Sequence, residues 1–354
     1  MSAVIVLTGG GTAGHVMPNL ALLDELRRAG FTPHYVGGHG IERELALKAG
    51  IPFHGVLTGK LRRYISLRNF LDVFRLIAGI CQAIVLIARL KPRIVFSKGG
   101  FVAVPVTLAA WVFGVPVVTH ESDYSPGLAN RIIIPFSRKI LYTFPETAKY
   151  LPKEKATFVG TPVRSELFEG DAEKGQEFCG FKGSDKPILL VMGGSQGAQR
   201  INDALREILP NLLETFNVVH LTGRGKQIDF HAAGYKGFEF VGPELKDIFA
   251  ASSLVVSRAG ANSIFELLAL KKPMLLIPLE IGSRGDQILN AKSFVTNGWA
   301  ASLSESDLSP GVLSAAIMGV HTNAANIRAK QAELSLRDVP RSVVAILLTE
   351  ANLG

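Results

Sequence analysis

Short apolar runs, each closed by glycine or another small residue and followed by a longer helical stretch, recur along this chain. Val4 to Leu7 runs into GGGTAGH, Gly9 to His15, and Ile188 to Met192 runs into GGSQGA, Gly193 to Ala198. A tight glycine turn between a parallel strand and a helix lets backbone N–H groups approach a phosphate at the helix's positive end. Two such loops, one per half, predict two nucleotide-binding-type domains facing across a cleft. A second echo supports this: VFSKGG, Val95 to Gly100, is matched by VVSRAG, Val255 to Gly260. After a short helix each is followed by another strand, Pro116 to Thr119 and Pro273 to Ile277. Strands alternating with helices imply parallel sheets whose ligands bind beyond the carboxyl ends of the strands. The expected fold is therefore α/β, two doubly wound, Rossmann-like halves.

Domain limits follow from the interruptions. A glycine and a proline break the pattern at Val159 to Arg164, which predicts a first domain over 1–160 and a second over 161–335. Residues 336–354 read as a C-terminal helix able to pack back on the first domain. A chain of 354 residues suits two cores rather than one. Gly99 to Thr119 carries no charge and is long enough to cross a bilayer. Its punctuation argues against a span: Pro105 suits the first turn of a helix ending near Gly114, and Val115 to Val118 then reads as a buried parallel strand.

Cysteine and charge narrow the setting. Only Cys81 and Cys179 occur, without metal-type spacing, as expected of unpaired thiols in a reducing compartment. The first residues lack the basic region and cleavage site of a signal peptide, so a cytoplasmic location is expected. Lys60, Arg62, Arg63, Arg68, Arg75, Arg89, Lys91 and Arg93 stand against Asp72 alone, so one segment accounts for nearly all of the formal +8. Among these cations lies an apolar stretch, Phe70 to Leu90. Apolar surface fringed by Lys and Arg suits an anionic membrane surface, each cation contributing about 1 kcal/mol. The alternative is a crossover helix with one side on the sheet and a solvated basic rim. Nucleic acid is not expected, because few stacking aromatics accompany the charges.

The first loop, Gly9-x-Gly11-x-x-Gly14, formally fits the dinucleotide fingerprint, whose partner is an acid at the end of the second strand. That strand, His34 to Val36, ends here in Gly37-Gly38-His39. No lysine of the P-loop kind follows either loop.

The motifs GGGTAGH, SKGGF (Ser97 to Phe101), HESD (His120 to Asp123), GTPVR (Gly160 to Arg164), GGSQGA, SRAGANSIFE (Ser257 to Glu266) and GDQ (Gly285 to Gln287) resemble, in order, those of the MurG family of bacterial glycosyltransferases. The resemblance implies the GT-B fold and an inverting N-acetylglucosaminyltransferase. Its donor is UDP-GlcNAc. Its acceptor is the MurNAc C4 hydroxyl of undecaprenyl-pyrophosphoryl-MurNAc-pentapeptide, lipid I, and its product is lipid II for peptidoglycan synthesis. It further implies no cofactor, no tightly bound metal and peripheral attachment to the cytoplasmic face of the cell membrane through Lys60 to Arg93. Other cell-wall synthesis proteins are further candidate partners.

Residue by residue, the resemblance assigns Thr12, Ala13, Gly14, Arg164, Ser195, Val241, Glu266 and Gln287 to UDP-GlcNAc. It assigns Gly11, His120, Glu121 and Asp123 to the acceptor pocket, and makes His15 the candidate base. Each has a plainer reading. Ser195 is also an ordinary turn serine, and Arg164 a surface partner of Glu166. Ser263-x-x-Glu266 also reads as a capping box, Gln287 as a solvated loop residue, and His15 as a helix cap or phosphate ligand. His120 and Glu121 form a second candidate pair for the chemistry. Three motifs depart from the family pattern: Ala13 where GGTGGH is usual, Ser122-Asp123 where HEQN is usual, and Phe101 where GGY is usual. Asp123 adds negative charge beside a pyrophosphate, which weakens binding unless a basic neighbour compensates. Two rival activities remain open at this level, a GT-B enzyme glycosylating another lipid such as diacylglycerol and a dinucleotide-dependent oxidoreductase.

Overall fold

The computed structural model describes residues 3–59, 67–193, 197–280 and 285–352. The chain divides into two compact units, Met1–Arg164 with Asp338–Gly354, and Ser165–Arg337.

The first unit holds seven parallel strands: β1 (Ala3–Thr8), β2 (Phe31–Gly37), β3 (Phe53–Gly55), β4 (Ile94–Ser97), β5 (Val117–Glu121), β6 (Lys139–Tyr142) and β7 (Ala156–Phe158). Their order in the sheet is β3-β2-β1-β4-β5-β6-β7. Successive side chains of a strand point to opposite faces, and here both faces are apolar and covered. Val6, Val36, Val95 and Val117 pack with Ala83 and Ile87 of the helix Leu67–Leu90 and with Val106 and Ala109 of the helix Ala103–Val112. Ile5, Leu7, Phe96 and Val118 are buried on the opposite face. The uncharged run from Gly99 is thereby spent on a short helix and β5. Among the described residues no helix is long and apolar enough to cross a membrane. The C-terminal helix Val339–Glu350 belongs to this unit, where Arg138 Nε donates to Glu350 Oε2 at 2.8 Å.

The second unit holds six parallel strands: β8 (Ile188–Met192), β9 (Asn217–Leu221), β10 (Tyr235–Phe238), β11 (Ser252–Ser257), β12 (Met274–Leu276) and β13 (Ala301–Ser302), ordered β10-β9-β8-β11-β12-β13. Leu189, Val191, Val218, Leu254 and Val256 meet Ile201, Leu205, Leu209 and Leu212, the inner stripe of the helix Gln199–Thr215. Their spacing of three to four residues is that of one helical face.

In each sheet the strand order reverses beside the first strand, between β1 and β4 and between β8 and β11. At such a switch point the two flanking loops diverge and leave room for a ligand beyond the carboxyl ends. The repeated VFSKGG and VVSRAG segments are β4 and β11 with their following turns, so the sequence echo marks equivalent places in the two units.

Candidate active site

In the first unit, the loop after β1 leads into the helix Ala13–Leu20, with Thr12 at its N-cap. Gly11 to His15 therefore sit together at a helix N-terminus, the positive end of the helix dipole, which favours an anion. Thr12 Oγ1 lies 3.1 Å from His15 Nδ1, on the first helical turn.

An acid that the end of β2 lacks in sequence arrives from further on. Glu42, in the first turn of the helix Ile41–Lys48, folds back beneath the loop and is 2% exposed. Its Oε1 accepts from the Gly38 N–H at 3.1 Å and its Oε2 from the Gly11 N–H at 3.5 Å. Gly10 is required above it, since a Cβ there would lie 2.7 Å from Glu42 Oε1. These bonds hold the Glu42 carboxylate beneath the loop.

Beyond β4 and β5 stands a second buried cluster. Lys98, fully enclosed, reaches His120 Nδ1 at 2.7 Å and donates to Ser122 Oγ. His120 Nε2 lies 2.9 Å from the Gly160 carbonyl and 3.0 Å from Thr143 Oγ1. With Lys98 donating to Nδ1, the proton of the neutral ring belongs on Nε2, facing Gly160. Burial first and the Lys98 charge second pull the His120 pKa well below the ordinary histidine value, against the opposing pull of the Gly160 carbonyl. Glu121 accepts from the Asp123 N–H at 2.8 Å, the Gly127 N–H at 3.3 Å and Asn130 Nδ2 at 2.7 Å. Burial and the Asp123 charge raise its pKa, while these donors hold it down. His120 and Glu121 thus support the turn at Ser122 to Gly127 from behind. Both His120 nitrogens are committed, so of the two histidines weighed as a base only His15 keeps a partly exposed ring.

In the second unit the loop after β8 is described at Gly193 and again from Gly197; Ser195 lies outside the described residues. Gly197 has φ +68 and is pressed against the Thr222 carbonyl, leaving no space for a Cβ. Behind the loop, Asn202 Nδ2 donates to that same carbonyl at 3.0 Å. His220 is sealed alongside, its Nε2 3.0 Å from Asn202 Oδ1 and its Nδ1 3.2 Å from the Tyr235 hydroxyl. Burial pulls the His220 pKa from 6.5 down to about 4. Below pH 6.5 the unfolded chain binds a proton that the folded unit refuses, so stability is complete above that pH and is lost as the pH falls toward 4. The expected loss is about 3 kcal/mol. It is measured as the difference between the wild type and His220→Gln in thermal unfolding across this window, the variant losing less.

The remaining candidates also follow strand ends. Glu266 lies in the helix Ala261–Ala269, whose N-cap is Gly260. The helix starts two residues before Ser263, so Ser263-x-x-Glu266 is not a capping box; Glu266 stands on the second turn. Gln287 Oε1 accepts from the Leu279 N–H at 2.9 Å, which fixes the direction of its amide and orients Nε2 as its donor. Gln287 is therefore more than a solvated loop residue. Val241 is buried after β10, and Arg164, half-buried, closes the first unit's main segment. Arg258, directly after β11, donates to the carbonyls of Ile277 at 3.2 Å and Pro278 at 3.4 Å and pairs with the buried Glu305.

Lys98 and Glu42 carry much of the first unit's geometry, yet sequence reasoning did not select either. For Lys98 a signal existed in its match to Arg258 across the two echoed segments. For Glu42 there was none, because its role depends on a helix turning back over Gly38.

Among solved structures, the crystal structure of Acinetobacter baumannii MurG superposes with TM-score 0.76 at 22% identity, covering 98% of this chain and 99% of that one. The calicheamicin glycosyltransferase CalG4 gives 0.70 at 15% identity, covering 99% of each. Two parallel doubly wound units of this kind make up the GT-B fold. Residues 5–142 match the glycosyltransferase family 28 N-terminal domain and residues 188–343 its C-terminal domain. The UDP-N-acetylglucosamine–N-acetylmuramyl-(pentapeptide) pyrophosphoryl-undecaprenol N-acetylglucosamine transferase of Lachnoclostridium phytofermentans is 53% identical over 324 residues, 90% of this chain and 91% of that protein. The transferase of the same name from Geobacillus thermodenitrificans is 51% identical over 358 residues, 99% and 100% of the two chains. The chain belongs to glycosyltransferase family 28, and within it to the family of these two transferases.

Proposed function

We propose that this protein transfers GlcNAc from UDP-GlcNAc to the C4 hydroxyl of MurNAc in undecaprenyl-pyrophosphoryl-MurNAc-pentapeptide, with inversion, producing lipid II. The observation that carries the reading is identity above one half, over nearly the full length, to transferases named for that reaction. The oxidoreductase alternative lacks the acid it needs at the end of β2, which closes in Gly37-Gly38-His39.

In this reading Ser195 and Arg164 meet the donor's diphosphate, Val241 the uracil through its backbone, Glu266 the ribose hydroxyls and Gln287 the GlcNAc hydroxyls through its oriented amide. Thr12, Ala13 and Gly14 are further donor contacts, Gly11 and Asp123 face the acceptor, and His120 and Glu121 hold that pocket's wall. The MurNAc C4 oxygen attacks the anomeric carbon on the face opposite UDP. The new C–O bond forms as the bond to phosphate breaks, and UDP leaves with the bonding pair. Loop and helix-end amides stabilise the charge that develops on it. His15, with its Nδ1 beside the Thr12 hydroxyl, takes the hydroxyl proton on its imidazole.

Attachment to the cytoplasmic face of the membrane, as a peripheral protein, fits the surface of the first unit. Phe74, Ile77 and Val85 are exposed on the helix Leu67–Leu90, beside Arg75 and Arg89. Trp111, Val112 and Phe113 are exposed at the end of the neighbouring helix. Lys60, Arg62 and Arg63 lie outside the described residues, as do the side chains of Arg68 and Phe70. Through the lipid II it makes, the enzyme serves cell shape and division.

The test is acceptor choice. Labelled GlcNAc is expected to pass from UDP-GlcNAc to a short-chain lipid I analogue and not to diacylglycerol; the reverse preference would contradict the reading.

A further inference from the structure

We propose that Lys98 is a positioning residue for the substrate-binding turn after β5, and that it is the counter-charge that allows an acid to stand at position 123. The inference rests on the function proposed above only in treating that turn as part of the substrate site.

Four observations carry it. The Lys98 side chain is wholly enclosed, with its ammonium on His120 Nδ1 and Ser122 Oγ, the two side chains that flank Glu121 at the end of β5. A cation that far from water persists only with hydrogen bonds and opposite charge beside it. Glu121 and Asp123 are those charges, each favouring the charged form of Lys98 while burial pulls its pKa down to about 7. Next, the turn is anchored on its far side too, because His120 Nε2 reaches the Gly160 carbonyl. Removing Lys98 would leave His120 Nδ1 and Ser122 Oγ without their shared donor, so that the turn is held from the far side alone.

The charge of the turn supplies the third observation. Asp123 stands in a turn of the proposed substrate site, where an uncompensated acid would repel a pyrophosphate. Lys98 is the basic neighbour that offsets it, and the serine that accompanies the acid is the group to which Lys98 donates. Finally, the second unit uses the same device at the equivalent place. Arg258, one residue past β11, reaches across to the end of β12 and is neutralised by Glu305. Lys98, one residue past β4, reaches across to the end of β5.

The experiment compares the wild type, Lys98→Met, Asp123→Asn and the double variant, in GlcNAc transfer to a short-chain lipid I analogue and in thermal unfolding. Lys98→Met is expected to lose about 100-fold in kcat/KM, as misplacement by about an ångström does. It is also expected to melt earlier. Removing the acid as well is expected to restore at least tenfold of the activity and at least half of the lost melting temperature, since the two charges are coupled. A double variant no better than Lys98→Met overturns the proposal, as does a Lys98→Met enzyme within twofold of the wild type. Failure of both Lys98 variants to fold overturns it equally, because joint removal is predicted to be tolerated. Wild-type enzyme inert towards lipid I would strike instead at the function proposed above, and the melting temperatures would still decide the role of Lys98.

Discussion

Gly197→Ala is expected to abolish UDP-GlcNAc binding while leaving the first unit folded. The glycine sits at φ +68, a conformation that costs an L-residue about 1–3 kcal/mol, and a Cβ added there would collide with the Thr222 carbonyl. The obstacle is backbone rather than a flexible side-chain tip, and that backbone is itself held by Asn202. The loop must yield, and with it the amides that lead into the helix Gln199–Thr215. Calorimetric titration with UDP-GlcNAc should show affinity reduced by about 100-fold or more, the scale of losing oriented contacts in a charged site. Unchanged affinity would mean that this loop does not hold the diphosphate.

His15→Ala is expected to lower kcat by about 100-fold or more with little change in the KM for either substrate. The imidazole stands at the N-terminus of the helix Ala13–Leu20, within reach of Thr12, and the proton transfer proposed for it would be felt only in the transition state. A cap or phosphate ligand would instead raise the acceptor KM and leave the saturated rate close to normal. Near-normal turnover at saturating lipid acceptor would therefore remove His15 from the chemistry.

Much of the architecture was legible because it depends on local pattern. Apolar runs with no polar face, such as Ile5 to Leu7 and Leu189 to Val191, fit strands covered on both sides. The echo of VFSKGG in VVSRAG matched strands of the two halves, and these are β4 and β11, each beside the first strand of its sheet. Cross-strand meetings were not legible. Lys98 meets His120 and Ser122 across 22 and 24 residues of chain, and Glu42 meets Gly11 across 31. Periodicity specifies which face a residue occupies, not which buried polar group it will find there. The capping box at Ser263 failed for a related reason. Gly260 and Ala261 were free to begin the helix earlier, so the motif fell inside it. The apolar excess of Phe70 to Leu90 was ambiguous between sheet contact and surface. The helix does both, with Ala83 and Ile87 inward and Ile77 and Val85 outward.

The central claim is an inverting GlcNAc transfer to the MurNAc C4 hydroxyl. Its most direct test incubates the enzyme with labelled UDP-GlcNAc and a short-chain lipid I analogue and determines the linkage of the product by nuclear magnetic resonance. The account predicts a β-linked GlcNAc on the C4 oxygen, with UDP released in equal amount. An α linkage, attachment at another hydroxyl, or no transfer despite demonstrated UDP-GlcNAc binding would contradict it.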